Sequence, residues 1–209
     1  MTKHEDRRLR LLELAREQGG FFTAGQADEI GFDNANQHRF AKDGRWTRVR
    51  RGIFRLASEP EGEWSDFHIL ALLFRFRDGR PSGIFGLETA AVIHQIGDFM
   101  PSRISILVGL GFRKHAKIPE NVEIIYSADI SHGVDRVDGL FVTSPLRTIV
   151  DLLSASDRDK EETRRAFVAA RRAGIISKSR LKDLSGLAEP NIATIILSWE
   201  HNDVSGEST

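Results

Sequence analysis

The chain has 209 residues, 40% of them hydrophobic and 29% charged, which is ordinary for a soluble globular protein and enough for a core in each of two small domains. It has no cysteine, which excludes disulfides, thiolate zinc sites and thiol catalysis together. The formal net charge is zero, yet residues 1–56 carry 12 Lys and Arg against 8 Asp and Glu while the remainder carries 18 against 22, so only one end favours a polyanion.

No charged-then-apolar leader opens the chain and no apolar run approaches the roughly 18 residues of a membrane span, so a cytoplasmic protein with no membrane partner is expected. Residues 4–18 place Leu9, Leu11, Leu12, Leu14 and Ala15 at helical spacing, and Gly19-Gly20 ends that helix. Thr23-x-x-Gln26 is a capping box for a second helix, with Phe22 set to staple against Ala27. Ala24, Ala27 and Ile30 give its buried side, and Gly31 suits a left-handed C-terminal position. Asp33 is an N-cap for a third helix from Asn34 to about Asp43. Two capped helices about a tight glycine turn form a helix-turn-helix signature. Phe40 is the core anchor of the third helix, with Asn36 or Ala41 beside it. Its other side offers Asn34, Gln37, His38, Arg39 and Lys42 to base edges or phosphates. Arg39 also stands at ion-pair spacing from Asp43.

Residues 38–56, HRFAKDGRWTRVRRGIFRL, set seven Lys and Arg against the single acid Asp43. Strands Trp46 to Val49 and Ile53 to Leu56 flank Arg50-Arg51-Gly52, where Gly52 can supply the positive φ of a hairpin turn. Arg45, Arg48, Arg50 and Arg51 then lie on a basic wing suited to the phosphate backbone of double-stranded DNA. A solvated basic face on an ordinary α+β domain is the competing reading of the same charges.

ASEPEG, residues 57–62, reads as a linker, giving a DNA-binding domain over 1–57, a second domain over 63–185, and a short apolar segment with a disordered tail over 186–209. Helical patterns follow over 64–76 and 82–96. In the latter, Glu88 and His94 stand six apart, a poor spacing for a metal pair. Strands are expected over 103–108, 122–126 and 140–143, with a polar loop holding Arg113, Lys114, His115 and Lys117. Ser144-Pro145 opens another helix, on which Arg147 and Asp151 are spaced for an i,i+4 pair. Residues 157–173 form a charged helix whose Arg164, Arg165, Arg171 and Arg172 face solvent or a partner. A short helix over 177–184 and the apolar piece Ile192 to Trp199 precede the tail from His201. The expected fold class is α+β: an N-terminal winged helix-turn-helix domain followed by a mixed α/β C-terminal domain.

None of the seven histidines pairs with another at ligand spacing, and no phosphate-cradling glycine run or serine elbow occurs. Asp129, Asp135 and Asp138 lie near strand ends without the alternation of a calcium loop. No catalytic residue, metal or cofactor is expected.

Leu11 to Leu56, with GGFFTAGQADEIG followed by HRFAKDGRWTRVRRGIFRL, resembles the N-terminal winged-helix domain of the AbiEi family, antitoxins of type IV toxin–antitoxin systems of abortive infection. Phe40 and Phe54 stand where that family more often has Leu and Tyr. VTSPLRTIVDLL, residues 142–153, resembles a run of the family's C-terminal domain. The resemblance implies a repressor that binds inverted repeats in its own operator and antagonises a cognate nucleotidyltransferase toxin, with no stable complex required. Two other readings compete: a stand-alone transcription factor with an effector-sensing second domain, and a nucleic-acid-processing enzyme delivered by its winged helix. The oligomeric state is left open by the sequence.

Overall fold

The N-terminal segment builds its core from aromatic rings. In the computed structural model, which describes residues 3–76, 78–113 and 118–204, α1 (Lys3–Arg16) buries Leu11 and Ala15, one helical turn apart, and leaves Leu9 facing solvent. β1 (Phe21–Thr23) leads directly into α2 (Ala24–Ile30). The capping box is complete: Thr23 Oγ1 accepts from the Gln26 amide at 3.1 Å and Gln26 Oε1 accepts from the Thr23 amide at 2.8 Å. Gly31 ends α2 at φ 103°, a conformation that costs a residue bearing a Cβ. α3 (Asn34–Lys42) begins at Asp33, whose carboxylate accepts from the Asn36 amide at 2.8 Å.

β2 (Trp46–Arg50) and β3 (Ile53–Leu56) pair antiparallel, and β1 adds to the other side of β3, giving the order β1-β3-β2. Alternation along these strands sends their side chains to two faces. Phe22, Trp46, Phe54 and Leu56 meet the three helices on one face, with Phe22 against Trp46 at 4.8 Å and Phe40 against Trp46 at 5.2 Å between ring centroids. Phe21 and Ile53 point the other way and are covered by Leu72 of α4 (Ser65–Leu73). The compact unit therefore runs past residues 57–62, the boundary expected from composition, because without α4 one face of the sheet would lie bare. It consists of Met1–Ser82 with Asp138–Leu140.

The second unit comprises Gly83–Val137 and Phe141–Thr209. Its elements are β4 (Gly83–Phe85), α5 (Leu87–Ile93), β5 (Ile104–Gly109), β6 (Val122–Ser127), β7 (Val134–Val137) and β8 (Leu140–Thr143), with the sheet ordered β6-β5-β4-β8-β7. β4 runs parallel to β8 and antiparallel to β5, while β5 and β6 are parallel. The continuous helix expected over 82–96 is thus a central strand followed by a helix. A short apolar run such as Gly-Ile-Phe-Gly has no period to tell the two apart. β7 is an addition to the expected strands.

α6 (Pro145–Ser154), α7 (Lys160–Arg172), a 3-10 segment (Lys178–Asp183), α8 (Leu184–Leu187) and α9 (Pro190–Trp199) follow, closed by one π turn (Glu200–Val204). Ile149, Leu153, Phe167 and Ile196 form their shared core. The arginines of α7 are partly committed to this packing. Arg171 donates to both carboxylate oxygens of Glu200 at 2.7 and 2.8 Å, and Arg164 pairs with Asp203 at 2.8 Å. Those contacts make His201 to Val204 helical, where a disordered tail was expected. Residues 205–209, like Lys114, His115 and Lys117 of the expected polar loop, lie outside the described residues. No described helix is long and apolar enough to cross a membrane.

Candidate nucleic-acid interface

α3 presents Asn34, His38 and Lys42 in one exposed stripe, four residues apart, with Arg39 exposed beside it. Arg39 is held rather than loose. It donates to Asn36 Oδ1 at 2.9 Å, Asn36 donates to Asp33 Oδ1 at 2.8 Å, and the Arg39 guanidinium lies 5.1 Å from the centroid of the Phe40 ring. The ion pair expected between Arg39 and Asp43 goes instead to Arg45, 3.3 Å from Asp43.

Gln37 does not belong to the outward face. It is only 6% exposed, and its Nε2 donates to the carbonyls of Phe32 at 2.8 Å and Ala24 at 3.0 Å. Its amide nitrogen closes the turn between α2 and α3 with both hydrogens committed, so it has no N–H left for the paired donor and acceptor contact that a base edge asks of a glutamine. Asn36 likewise is no core residue; its amide is spent on the cap.

The wing follows without a break. The Arg45 amide donates to Phe40 O at 3.0 Å, and the Arg45 guanidinium stands 4.7 Å from the Phe40 centroid, so the start of the hairpin is tied to the helix by backbone and by a cation–π contact. Arg45, Arg48, Arg50 and Arg51 are all exposed. A bulge between Arg48 and Arg50 shifts the register of β2 against β3, which explains the imperfect apolar alternation of this hairpin. Gly52 takes φ 74° in the turn, and its carbonyl accepts from the Ala24 amide at 2.8 Å, fixing the hairpin tip against the N-terminus of α2. Thr47, exposed between Arg45 and Arg48, adds a hydroxyl that a count of basic residues passes over. Arg55, the remaining cation of the stretch, turns inward to the Glu59 carbonyl at 2.7 Å and Glu61 at 3.3 Å.

Of the nine residues expected to touch DNA, the fold gathers Asn34, His38, Arg39, Lys42, Arg45, Arg48, Arg50 and Arg51 on exposed positions of one helix and its adjoining hairpin, and removes Gln37. Arg7 supports the arrangement from behind by donating to Gly31 O at 3.2 Å. A helix side with amide, imidazole and ammonium groups can meet base edges and phosphates, and a guanidinium-rich hairpin beside it can neutralise further phosphates.

The second unit uses its polar groups internally. His94 Nε2 faces Thr143 O at 2.8 Å, and burial pushes its imidazole pKa down. Glu88 pairs with Arg158 at 2.8 Å, and Arg158 also reaches Glu123 at 2.8 Å. Asp129 accepts from the Ser131 hydroxyl and amide at 2.7 Å each, bonds that hold its carboxyl well below the usual range. Arg147 is buried, donates to the carbonyls of Asp129 and His132, and pairs with Asp151 at 3.4 Å, which is the i,i+4 contact expected from spacing. Burial pushes the Asp151 carboxyl up to about 6, against the opposing pull of Arg147. Among the described residues no three His, Asp or Glu side chains come together as a metal site.

Comparison with known proteins gives a family match and likenesses among solved structures. No curated protein matches the chain. The crystal structure of the RV2827C protein from Mycobacterium tuberculosis aligns with 95% of this chain and 72% of its own, at 15% identity and a TM-score of 0.37. The family described as "Transcriptional regulator, AbiEi antitoxin" matches residues 9–57, which run from within α1 to just past β3. Over that stretch the chain is similar to the AbiEi antitoxins, a family of transcriptional regulators.

Proposed function

We propose that the protein is a DNA-binding antitoxin that represses its own operon at inverted repeats and antagonises a cognate nucleotidyltransferase toxin. The observation that carries the DNA-binding part is the exposed stripe Asn34, His38 and Lys42 beside the cationic hairpin Arg45 to Arg51, both anchored on the Phe40 ring. A groove-reading helix and a phosphate-gripping wing need that adjacency. The family match over residues 9–57 supports the regulatory part, and the run VTSPLRTIVDLL in β8 and α6 supports extending the antitoxin reading to the second unit.

DNA upstream of the protein's own gene, titrated with the full chain at several salt concentrations, tests the first part. Footprints on two inverted half-sites, with affinity above that for random DNA, are expected. Equal affinity for both DNAs would refute operator recognition. Co-expression with a nucleotidyltransferase encoded beside it tests the second part through rescue of growth, and a failure of rescue by the intact chain would refute toxin antagonism.

A further inference from the structure

The helix side of the first unit carries a groove that shares only Arg45 with the proposed DNA interface. It encloses about 470 Å³ between α1, α3 and the start of the wing. That lies within the roughly 300–1,000 Å³ usual for small-molecule sites. Its depth is aromatic. Phe32 meets Phe40 at 5.6 Å and Trp46 at 5.5 Å, both edge to face, and each of the three is at most 5% exposed, so the floor of the groove offers a planar ligand ring edges. Leu9 and Leu12 of α1 form the facing wall, and Leu9 is 46% exposed, an apolar side chain left uncovered by the fold itself. Two cations, Arg8 and Arg45, line the same groove against one acid, Glu5. Within the lining that leaves one net positive charge, which an anion gains when Arg45 turns from Asp43.

We propose that this groove binds a small aromatic monoanion, its ring between Leu9 and the Phe32–Phe40–Trp46 cluster and its charge against Arg8 and Arg45, and that binding lowers affinity for DNA. The coupling runs through Arg45. In the free protein its guanidinium rests on Phe40 and against the exposed Asp43. An anion in the groove claims that guanidinium, which the DNA-binding reading assigns to a phosphate. Ligand and DNA then compete for one charge, and the effect is reciprocal. The site itself does not depend on the DNA-binding reading; only its consequence does.

The probe is 8-anilinonaphthalene-1-sulfonate, an aromatic monoanion whose fluorescence reports transfer to an apolar site, with uncharged N-phenyl-1-naphthylamine as its neutral counterpart. Full-length wild type, Leu9→Gln and Arg45→Ala are titrated with each. The expected result is one saturable site for the anionic probe, weakened about tenfold or more in both variants, as loss of one contact of about 1.4 kcal/mol requires. The neutral probe should lose affinity in Leu9→Gln alone. Saturating anionic probe should raise the midpoint of DNA binding in wild type and leave it unmoved in Leu9→Gln.

Absence of saturation, or equal probe affinity in all three proteins, overturns the site. A DNA midpoint unmoved while the groove is occupied overturns the coupling. Sedimentation velocity supplies the remaining arm. A wild-type dimer that Leu9→Gln converts to monomer would mean that a second copy fills the groove, and would also overturn the proposal. Should the protein bind no DNA at all, the DNA-binding reading fails while the fluorescence titrations still decide the groove.

Discussion

Replacing Gln37 with alanine should weaken the fold rather than redirect its sequence preference. The Gln37 amide satisfies two carbonyls at once, Phe32 O and Ala24 O, in a setting that is almost closed to water. A typical internal hydrogen bond contributes about 1 kcal/mol, and a buried acceptor left alone costs about 1–3 kcal/mol. Phe32 O is buried and loses this donor, while Ala24 O is partly exposed and keeps its place in α2, so the loss comes to about 1–3 kcal/mol. With a urea slope of about 1–3 kcal/mol per molar, the unfolding midpoint of the first unit should fall by about 1 M. The Trp46 signal, at the centre of that unit's core, reports the transition. His38→Ala is the paired control, because His38 is exposed and should leave the midpoint within about 0.5 kcal/mol. Operator and random DNA are then titrated with both variants far below the transition. His38→Ala should narrow the difference between the two DNAs, and Gln37→Ala should leave it intact. An unmoved urea midpoint in Gln37→Ala, joined to a selective loss on operator, would refute the assignment of this amide to the turn.

Other perturbations bear on separate parts of the molecule. Arg50→Ala with Arg51→Ala should weaken binding to operator and random DNA alike and flatten the plot of log affinity against log salt by about one or two units, since each phosphate contact contributes about 0.9; an unchanged slope removes the wing from the interface. Asp151→Asn should abolish one component of the pH dependence of unfolding. The folded carboxyl titrates near 6, above its unfolded value, so the folded state holds the extra proton and this group's contribution falls as pH rises from about 4 to 6. Wild type minus variant, measured by urea melts across that range, must slope downward with pH; a flat difference contradicts the shift. A fragment ending at residue 57 should melt without cooperativity, whereas one ending at Ser82 regains a transition, because Phe21 and Ile53 each lose about 1.5–3 kcal/mol of burial without α4. Circular dichroism of the two fragments decides it, and a cooperative 1–57 fragment would sink the argument.

What could be read in the residues was the chemistry that acts over three or four positions. Thr23 with Gln26, Asp33 before α3, Gly31 after α2 and Gly52 in the hairpin each satisfy a local backbone need, so their types disclose the turn they occupy. Pairing at a distance was less visible. Phe21 and Phe22 are identical letters on opposite faces of β1, and only the presence of β3 and α4 decides which core each joins. β4 hid inside an apolar run, and β7 hid behind Asp135 and Arg136, whose charges suggest a loop. Gln37 illustrates the limit for sites. A carboxamide can recognise adenine or a neighbouring carbonyl with the same atoms, and its orientation rests on a partner 13 residues earlier. The cationic hairpin escaped that ambiguity, for Arg48, Arg50 and Arg51 are exposed on it.

The bond from the Arg45 amide to Phe40 O, with the guanidinium over the same ring, ties α3 to the start of the wing across the single turn at Gly44. In the proposed DNA-binding role that tie makes the pair a caliper whose opening is set by a short connection. A single base pair inserted between the two parts of a half-site should then cost more than either contact alone, since the protein cannot widen its grip and must forfeit one jaw to keep the other.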